Sequence, residues 1–373
     1  MPNQTILIKP ASGYCNMNCS YCFYNDVTNH RETKNYGFMT MDTVEEIVRK
    51  AFAYADSYVG FAFQGGEPTL VGIEFYQGFI GLVEKYNTKG IHVEYSLQTN
   101  GTLLHESWAE FFRQHNFLIG LSMDGPTEIH DINRVDHLGN GTYKEVLKAA
   151  KMLRKHKVEF NVLTVVTRNV ARHPGKVYQF LKKNDFMYMQ FIPCLDRLDE
   201  PPGGDVFSLT PEDYGRFLCQ IFDLWHHDIK QNIPVSVRMF DNLIQILLGY
   251  SPESCDMAGV CSVNTVIEAN GSVYPCDFYV LDQWKLGNIL QDDFSSLKKK
   301  DRAILFVDES KTKNVECVSC DYVKLCKSGC KRHYVQSGTS RKNYYCSSYK
   351  KFYAYSLERL REIAQLVRYY KKI

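Results

Sequence analysis

Cys15, Cys19 and Cys22 stand within eight residues, in Cys15-Asn16-Met17-Asn18-Cys19-Ser20-Tyr21-Cys22, directly after an apolar strand pattern. Spacings of four and three let three thiolates wrap one compact loop around a metal cluster. The number three is informative. A four-iron cluster held by three thiolates keeps one iron open to an exogenous ligand, whereas a structural zinc site takes a fourth protein ligand. Eight further cysteines crowd toward the end of the chain: Cys255, Cys261, Cys276, Cys317, Cys320, Cys326, Cys330 and Cys346. Eight thiolates make two sets of four, enough for two fully ligated clusters. Two zinc sites are the alternative, because Cys-x2-Cys pairs such as Cys317/Cys320 also suit zinc. Cys194 and Cys219 stand apart and read as buried, inert thiols.

One acid sits beside these ligands. Asp277 follows Cys276 directly, and in a continuing strand the two side chains point to opposite faces. An acid next to a cluster and turned away from it is a candidate general base; the plainer reading is a solvated strand-end carboxylate.

These residues need a scaffold, and the first two-thirds of the chain reads as one. Candidate strands are Thr5–Lys9, Val59–Gln64, Val93–Gln98, Leu118–Ser122, Glu159–Thr167 and Tyr188–Pro193. Several are continuous apolar runs, which suits strands covered on both faces. Helical patterns alternate with them at Met41–Ala55, Ile73–Tyr86, Glu106–His115, Tyr143–His156 and Pro174–Asn184. Repeated β-α-β units imply a parallel sheet or an incomplete (β/α) barrel. Two longer helical patterns follow, Pro211–Lys230 and Met239–Leu248, and a last one runs from Tyr353 to about Tyr370. From Cys255 the texture changes to short, cysteine-rich segments poor in aliphatic core, which metal clusters would staple. Val266–Tyr274 reads as a hairpin turning at Asn270-Gly271, placing Cys276 across from about Thr265. The expected division is 1–234 and 235–373.

Composition removes other classes. Across 373 residues, Lys+Arg 44 against Asp+Glu 42 leaves a net charge of +2, no case for nucleic acid or an acidic membrane surface. No window approaches the roughly 18 apolar residues of a membrane helix. The start, MPNQTILIKPASGYC, lacks the order of a secretory signal. A cytoplasmic, reducing setting follows, in which clustered thiols read as metal ligands rather than disulfides.

Cys-x3-Cys-x2-Cys after the first strand, with Tyr21 before the last cysteine, resembles the signature of radical S-adenosylmethionine (SAM) enzymes. That resemblance implies a partial (β/α)6 barrel whose open iron binds the cofactor's amino and carboxylate groups. Reductive cleavage then gives a 5′-deoxyadenosyl radical. Gly65-Gly66-Glu67-Pro68 is similar to the family's motif that holds the methionine amino group, a place where glycine lets a ligand approach bare backbone. Ser122 matches a ribose contact, Arg134 a carboxylate clamp suited to planar recognition, and Leu195 an adenine contact. These motifs and Gln98-Thr99-Asn100 all lie at strand carboxyl ends, where a parallel sheet carries its site.

The later cysteines resemble the SPASM extension of peptide-modifying members. By that resemblance Cys255, Cys261, Cys276 and Cys330 ligate one auxiliary [4Fe–4S] cluster, and Cys317, Cys320, Cys326 and Cys346 the other. Tyr274-Pro275-Cys276-Asp277-Phe278 is similar to the anaerobic sulfatase-maturating enzymes, which convert Cys or Ser in a sulfatase's Cys/Ser-x-Pro-x-Arg motif to Cα-formylglycine. The implied cofactors are S-adenosyl-L-methionine and three [4Fe–4S] clusters. The implied partners are a sulfatase polypeptide and an electron donor such as flavodoxin or ferredoxin, with the chain a monomer. Asp277 would take the target's proton, and Gln64 and Tyr24 are candidates to hold the peptide. Another radical peptide modification, such as a thioether crosslink, is the runner-up. A multi-cluster electron carrier or a zinc-binding module is the alternative of another class, and neither needs a three-cysteine site.

Anaerobic reconstitution separates these readings. About 12 irons per chain are expected, three clusters of four, with reductive cleavage of S-adenosylmethionine; stoichiometric zinc and no cleavage would exclude the radical-enzyme reading.

Overall fold

The computed structural model describes residues 2–312, 314–337 and 340–370. Its strands are β1 (Gln4–Lys9), β2 (Tyr58–Phe63), β3 (His92–Thr99), β4 (Phe117–Ser122), β5 (Phe160–Val166) and β6 (Tyr188–Pro193), followed by the two-residue β7 (Ser236–Val237). After these come β8 (Val266–Glu268), β9 (Ser272–Tyr274) and β10 (Gly287–Asn288). All six expected strands are present, with ends displaced by no more than one residue. Helices Met41–Tyr54, Ile73–Tyr86, Glu106–Gln114, Tyr143–Lys155 and Pro174–Lys183 fall between them as expected. Among the described residues, no helix is long and apolar enough to cross a membrane.

The chain folds into two compact units built from interleaved segments. The first holds residues up to Ser122 with Arg134–Phe160 and Val263–Phe306; the second holds Met123–Asn133, Asn161–Ser262 and the chain from Val307 onward. In the first unit the strand order is β10-β9-β8-β1-β2-β3-β4. The strands from β8 through β4 run parallel, and β9 and β10 are antiparallel additions. The core against the β2 side is aromatic. Phe63 meets Tyr76 and Phe79 edge-on at 5.0 Å, and Phe61 meets Phe79 at the same distance. All four rings are at most 1% exposed.

The hairpin joins the main sheet through its leading strand: β8 pairs in parallel with β1, in the register Leu7↔Val266, Ile8↔Ile267, Lys9↔Glu268. An apolar first strand leaves a row of unpaired backbone groups, and a fully buried neighbour satisfies them. The turn is longer than the Asn-Gly pair implied. Ala269–Gly271 forms a three-residue loop, closed by Gly271 N–H donating to Glu268 O at 2.8 Å. Gly271 adopts φ +81°, the left-handed position such a loop requires. Asn264, rather than Thr265, then lies across from Cys276; its N–H donates to Pro275 O at 2.8 Å.

In the second unit β5, β6 and β7 are parallel. The helices Pro211–Lys230 and Cys346–Tyr370 pack there along their length. The terminal helix starts seven residues before the expected Tyr353. Ser347-Ser348 looks like a polar break, but Ser348 is 1% exposed and its hydroxyl donates to Pro211 O. Gly215 makes room for it, since a Cβ there would stand 3.2 Å from Ser348 Cα.

Candidate active site

The three-cysteine loop follows β1 and is tied down on both sides by the first unit. Asn18 N–H donates to Val135 O at 2.8 Å, Met17 bridges Asp136, and His137 Nε2 lies 2.9 Å from Cys15 O. From the other side, Asn16 donates to Thr102 Oγ1 at 2.8 Å and accepts from Asn100 Nδ2 at 2.9 Å. The loop leads into the helix Phe23–Asn29, which Cys22 caps, its Sγ accepting the Asn25 N–H at 3.5 Å. Burial first, and then the Glu67 charge, push the Cys15 thiol up to about 12, with Cys19 and Cys22 adding to it. The Cys15 thiol would therefore release its proton on binding a metal.

Gly65-Gly66-Glu67 runs alongside the same loop. Gly66 N–H donates to Ser12 O at 2.9 Å and Glu67 N–H to Tyr14 O at 2.7 Å. A Cβ on Gly66 would meet Tyr14 O at 1.9 Å, so the chain's own backbone already requires glycine there. Glu67 is buried, with its carboxylate engaged inside the chain. Oε1 accepts from Thr69 Oγ1 at 2.6 Å and Thr99 Oγ1 at 2.7 Å, and Oε2 accepts from Asn100 N–H at 2.8 Å. It ties the Gly65-Gly66 turn to the turn after β3.

Tyr21 and Arg134 meet across 113 residues of sequence: Arg134 Nη1 donates to the Tyr21 hydroxyl at 2.8 Å, and both residues are buried. Ser122 ends β4, half-buried. Leu195 follows β6 in the second unit, also half-buried.

Asp277 does not sit on a continuing strand. β9 ends at Tyr274, and Asp277 opens the short turn Asp277–Tyr279. Its carboxylate is held by two donors: the Lys9 ammonium at Oδ1, and Gln64 Nε2 at Oδ2 at 2.8 Å. The Lys9 side chain is completely buried and that of Asp277 is 15% exposed. Sequence reasoning missed Lys9. Its signal is a lysine closing the apolar strand Thr5–Ile8, at the end where the motifs gather.

Lys9 also lies over the Tyr24 ring, its Nζ 3.7 Å from the centroid. The Tyr24 hydroxyl donates to Glu268, the strand neighbour of Lys9, and Arg31 Nη1 donates to the same carboxylate at 2.6 Å. Burial and the Glu268 charge hold the Tyr24 phenol well above its usual range, so it remains a donor. Lys9 and Arg31 thus face Asp277 and Glu268, two positive charges against two negative ones in a largely dry pocket. Tyr24, a candidate to hold substrate, turns its hydroxyl to this quartet.

Seven of the eight later cysteines fall in the second unit. Cys317, Cys320, Cys326 and Cys346 line one cavity. Burial pushes Cys326 up to about 12, with the charges of Cys346, Cys317 and Cys320 acting in the same direction. Burial does the same to Cys330, on which Cys255 and Cys261 act. Cys276 belongs to the first unit. Cys194 and Cys219 are both buried, as expected. Among the described residues, no three His, Cys, Asp or Glu side chains converge on a point that one metal ion would occupy. Thiols grouped by threes and fours fit iron–sulfur clusters.

Comparison with known proteins agrees. A model of the radical SAM superfamily matches residues 10–181, and one of an iron–sulfur cluster-binding domain (SPASM) matches residues 255–321. The cysteine-type anaerobic sulfatase-maturating enzyme of Clostridium novyi (strain NT) is 48% identical over 99% of each chain. A serine-type counterpart from Bacteroides thetaiotaomicron is 32% identical, over 93% of this chain and 88% of that one. The solved structure of native anSMEcpe with bound AdoMet and Cp18Cys peptide is 46% identical, covering 98% of this chain and 100% of that chain, with a TM-score of 0.93. The fold is therefore the α/β radical SAM partial barrel, with a C-terminal SPASM region carrying a hairpin and a terminal helix.

The Lys9–Asp277 pair gives a direct test of how the site is held. Lys9→Met is expected to destabilise the protein by about 3 kcal/mol, because it strands a mostly buried carboxylate. Asp277→Asn in the Lys9→Met background should recover part of that loss. Urea midpoints across the double-mutant cycle measure the coupling, and strictly additive effects would show that the two residues do not depend on each other.

Proposed function

The chain belongs to the anaerobic sulfatase-maturating enzymes of the radical SAM superfamily, and we propose that it oxidises a cysteine in the Cys-x-Pro-x-Arg motif of a sulfatase polypeptide to Cα-formylglycine, without oxygen. The observation that carries this reading is the Asp277 carboxylate, clamped by Lys9 and Gln64 at the strand ends that also bear the cysteine loop and the Gly65-Gly66 turn. Cysteine is favoured over serine as the target because identity to the cysteine-type relative is 48%, against 32% to the serine-type one.

Cys15, Cys19 and Cys22 would hold a [4Fe–4S] cluster with one iron open. The Gly65-Gly66 backbone, Ser122, Arg134 and Leu195 would hold S-adenosyl-L-methionine. Cys255, Cys261, Cys276 and Cys330 would hold one auxiliary cluster, and Cys317, Cys320, Cys326 and Cys346 the other. When bound, these groups supply hydrogen-atom abstraction from Cβ of the target and a sink for one electron.

The chain's own residues do the rest. Arg134 presents a planar fork to a carboxylate, and the Tyr21 hydroxyl fixes which way the fork points. Glu67 acts through the backbone it anchors. Asp277 takes the proton of the target thiol, its carboxylate plane set by the two donors on its oxygens. Gln64 reaches Asp277 from the end of β2 and so lies at the edge of the peptide's place; Tyr24 stands behind Lys9 and acts through it. Loss of the thiol proton and of one electron from the carbon radical leaves a thioaldehyde, which water converts to the aldehyde with release of hydrogen sulfide.

The working partners on this reading are the sulfatase polypeptide and a flavodoxin or ferredoxin as electron donor. The enzyme acts as a monomer in the cytoplasm, where reducing conditions keep unligated thiols free. Residues 1–234 form the radical-generating module, and 235–373 the module that carries the auxiliary clusters.

Incubating the reconstituted enzyme anaerobically with a peptide containing Cys-x-Pro-x-Arg should yield aldehyde by mass, faster than the matching serine peptide. Asp277→Asn is expected to retain cofactor cleavage while aldehyde formation falls by about 100-fold or more. Undiminished aldehyde from that variant would remove Asp277 as the base.

A further inference from the structure

We propose that the surface around the four-thiol cavity of the second unit is the docking face for a small acidic one-electron carrier protein. The inference rests on the reading above, in which an electron leaves the oxidised peptide. The charge distribution points to it. The chain as a whole stands at +2, yet residues 311–351 contain ten Lys and Arg against only Glu316 and Asp321. The positive excess of a nearly neutral protein is concentrated on the segment that supplies Cys317, Cys320, Cys326 and Cys346.

Exposed apolar and basic side chains share this segment. Val315 is 76% exposed and Val318 82%, on the turn of helix Val315–Val318 that carries Cys317. Large apolar side chains that open to water beside a ligand thiol have no role in the fold of this unit. Lys350 lines the thiol cavity itself. Lys342 pairs with Glu316 at 2.7 Å, and Lys350 approaches the same carboxylate at 3.9 Å. Lys324 and Arg341 add exposed positive charge within the same segment.

A small apolar contact on a strongly basic segment suits a transient encounter, in which complementary charge sets orientation and on-rate while little area is buried. A redox protein with acidic residues around its centre has the matching surface. A nucleic-acid backbone would match the lysines but leave the two valines without a partner. The electron count fits one such visit per turnover. The target residue is oxidised by two electrons: one leaves with the abstracted hydrogen atom, and the second reduces the oxidised carrier. The accompanying proton goes to Asp277.

The test measures binding of an acidic [2Fe–2S] ferredoxin, in its oxidised form, to the reconstituted enzyme by calorimetry at low and high ionic strength. Saturable binding at low salt, lost at high salt, is expected. Lys342→Glu/Lys350→Glu should weaken it by about tenfold or more, and Val318→Asp, at a side chain too exposed to disturb folding, should weaken it independently. Lys148→Glu/Lys151→Glu, exposed on the helix Tyr143–Lys155 of the first unit, should leave it unchanged. Iron content confirms that each variant is loaded. Equal binding by wild type and both patch variants would overturn the proposal. So would equal weakening by the control pair, absence of saturable binding, or tighter binding of a DNA duplex at the same lysines. Aldehyde formation by the wild type with dithionite is read in parallel. If it fails while the carrier still binds through the patch, the activity reading falls and the docking face stands.

Discussion

A lysine with no exposed surface closes the first strand, and the site is organised by the need to neutralise it. Leaving an ammonium group in a dry pocket without a partner costs several kcal/mol, so the surrounding chain must bring a negative charge to it. Two carboxylates answer. Asp277 pairs with Lys9 directly, and Glu268 lies beside it in register, itself neutralised by Arg31 and the Tyr24 hydroxyl. This arrangement explains why the hairpin strand β8 lies against β1. The pairing that satisfies the edge of the sheet also delivers Glu268, and nine residues later Asp277, to the carboxyl end of the first strand. A residue from the cysteine-rich stretch thereby becomes part of the site built by the first strands.

The thirteen cysteines divide by the same logic of what must be held and what must stay open. Three stand in a loop fastened from both flanks by Asn16, Asn18 and His137. Four line a cavity of their own in the second unit, where the surface is basic and partly apolar. Cys255, Cys261 and Cys330 belong to the second unit, and Cys276 to the first, one residue before the clamped acid.

Much of this was legible in the sequence. Continuous apolar runs such as Val59-Gly60-Phe61-Ala62-Phe63 can only be strands covered on both faces, and all six strands were placed to within a residue. Cysteine spacing is local, so the split into a front three and a later eight was readable as well. Less legible were features created by tertiary contact. Lys9 reads as an ordinary strand-end lysine until β8 and the Asp277 turn close over it. Glu67 reads as a ligand contact, whereas its oxygens accept from Thr69, two residues on, and from Thr99 and Asn100 on the distant turn after β3. Gly66 was expected to leave space for a ligand, and it also leaves space for the Tyr14 carbonyl. Ser348 reads as a break, and the helix runs through it because Gly215 and Pro211 receive it.

The central claim is that Lys9 governs how well Asp277 completes the oxidation after the hydrogen atom has gone. The most direct measurement is a single turnover with a peptide deuterated at the target Cβ, comparing deuterium in 5′-deoxyadenosine with aldehyde formed, in wild type and Lys9→Met. Wild type should give one aldehyde for each deuterium transferred, and Lys9→Met should still transfer deuterium while the aldehyde yield per transfer falls by about tenfold or more. An unchanged ratio in the variant would contradict the claim.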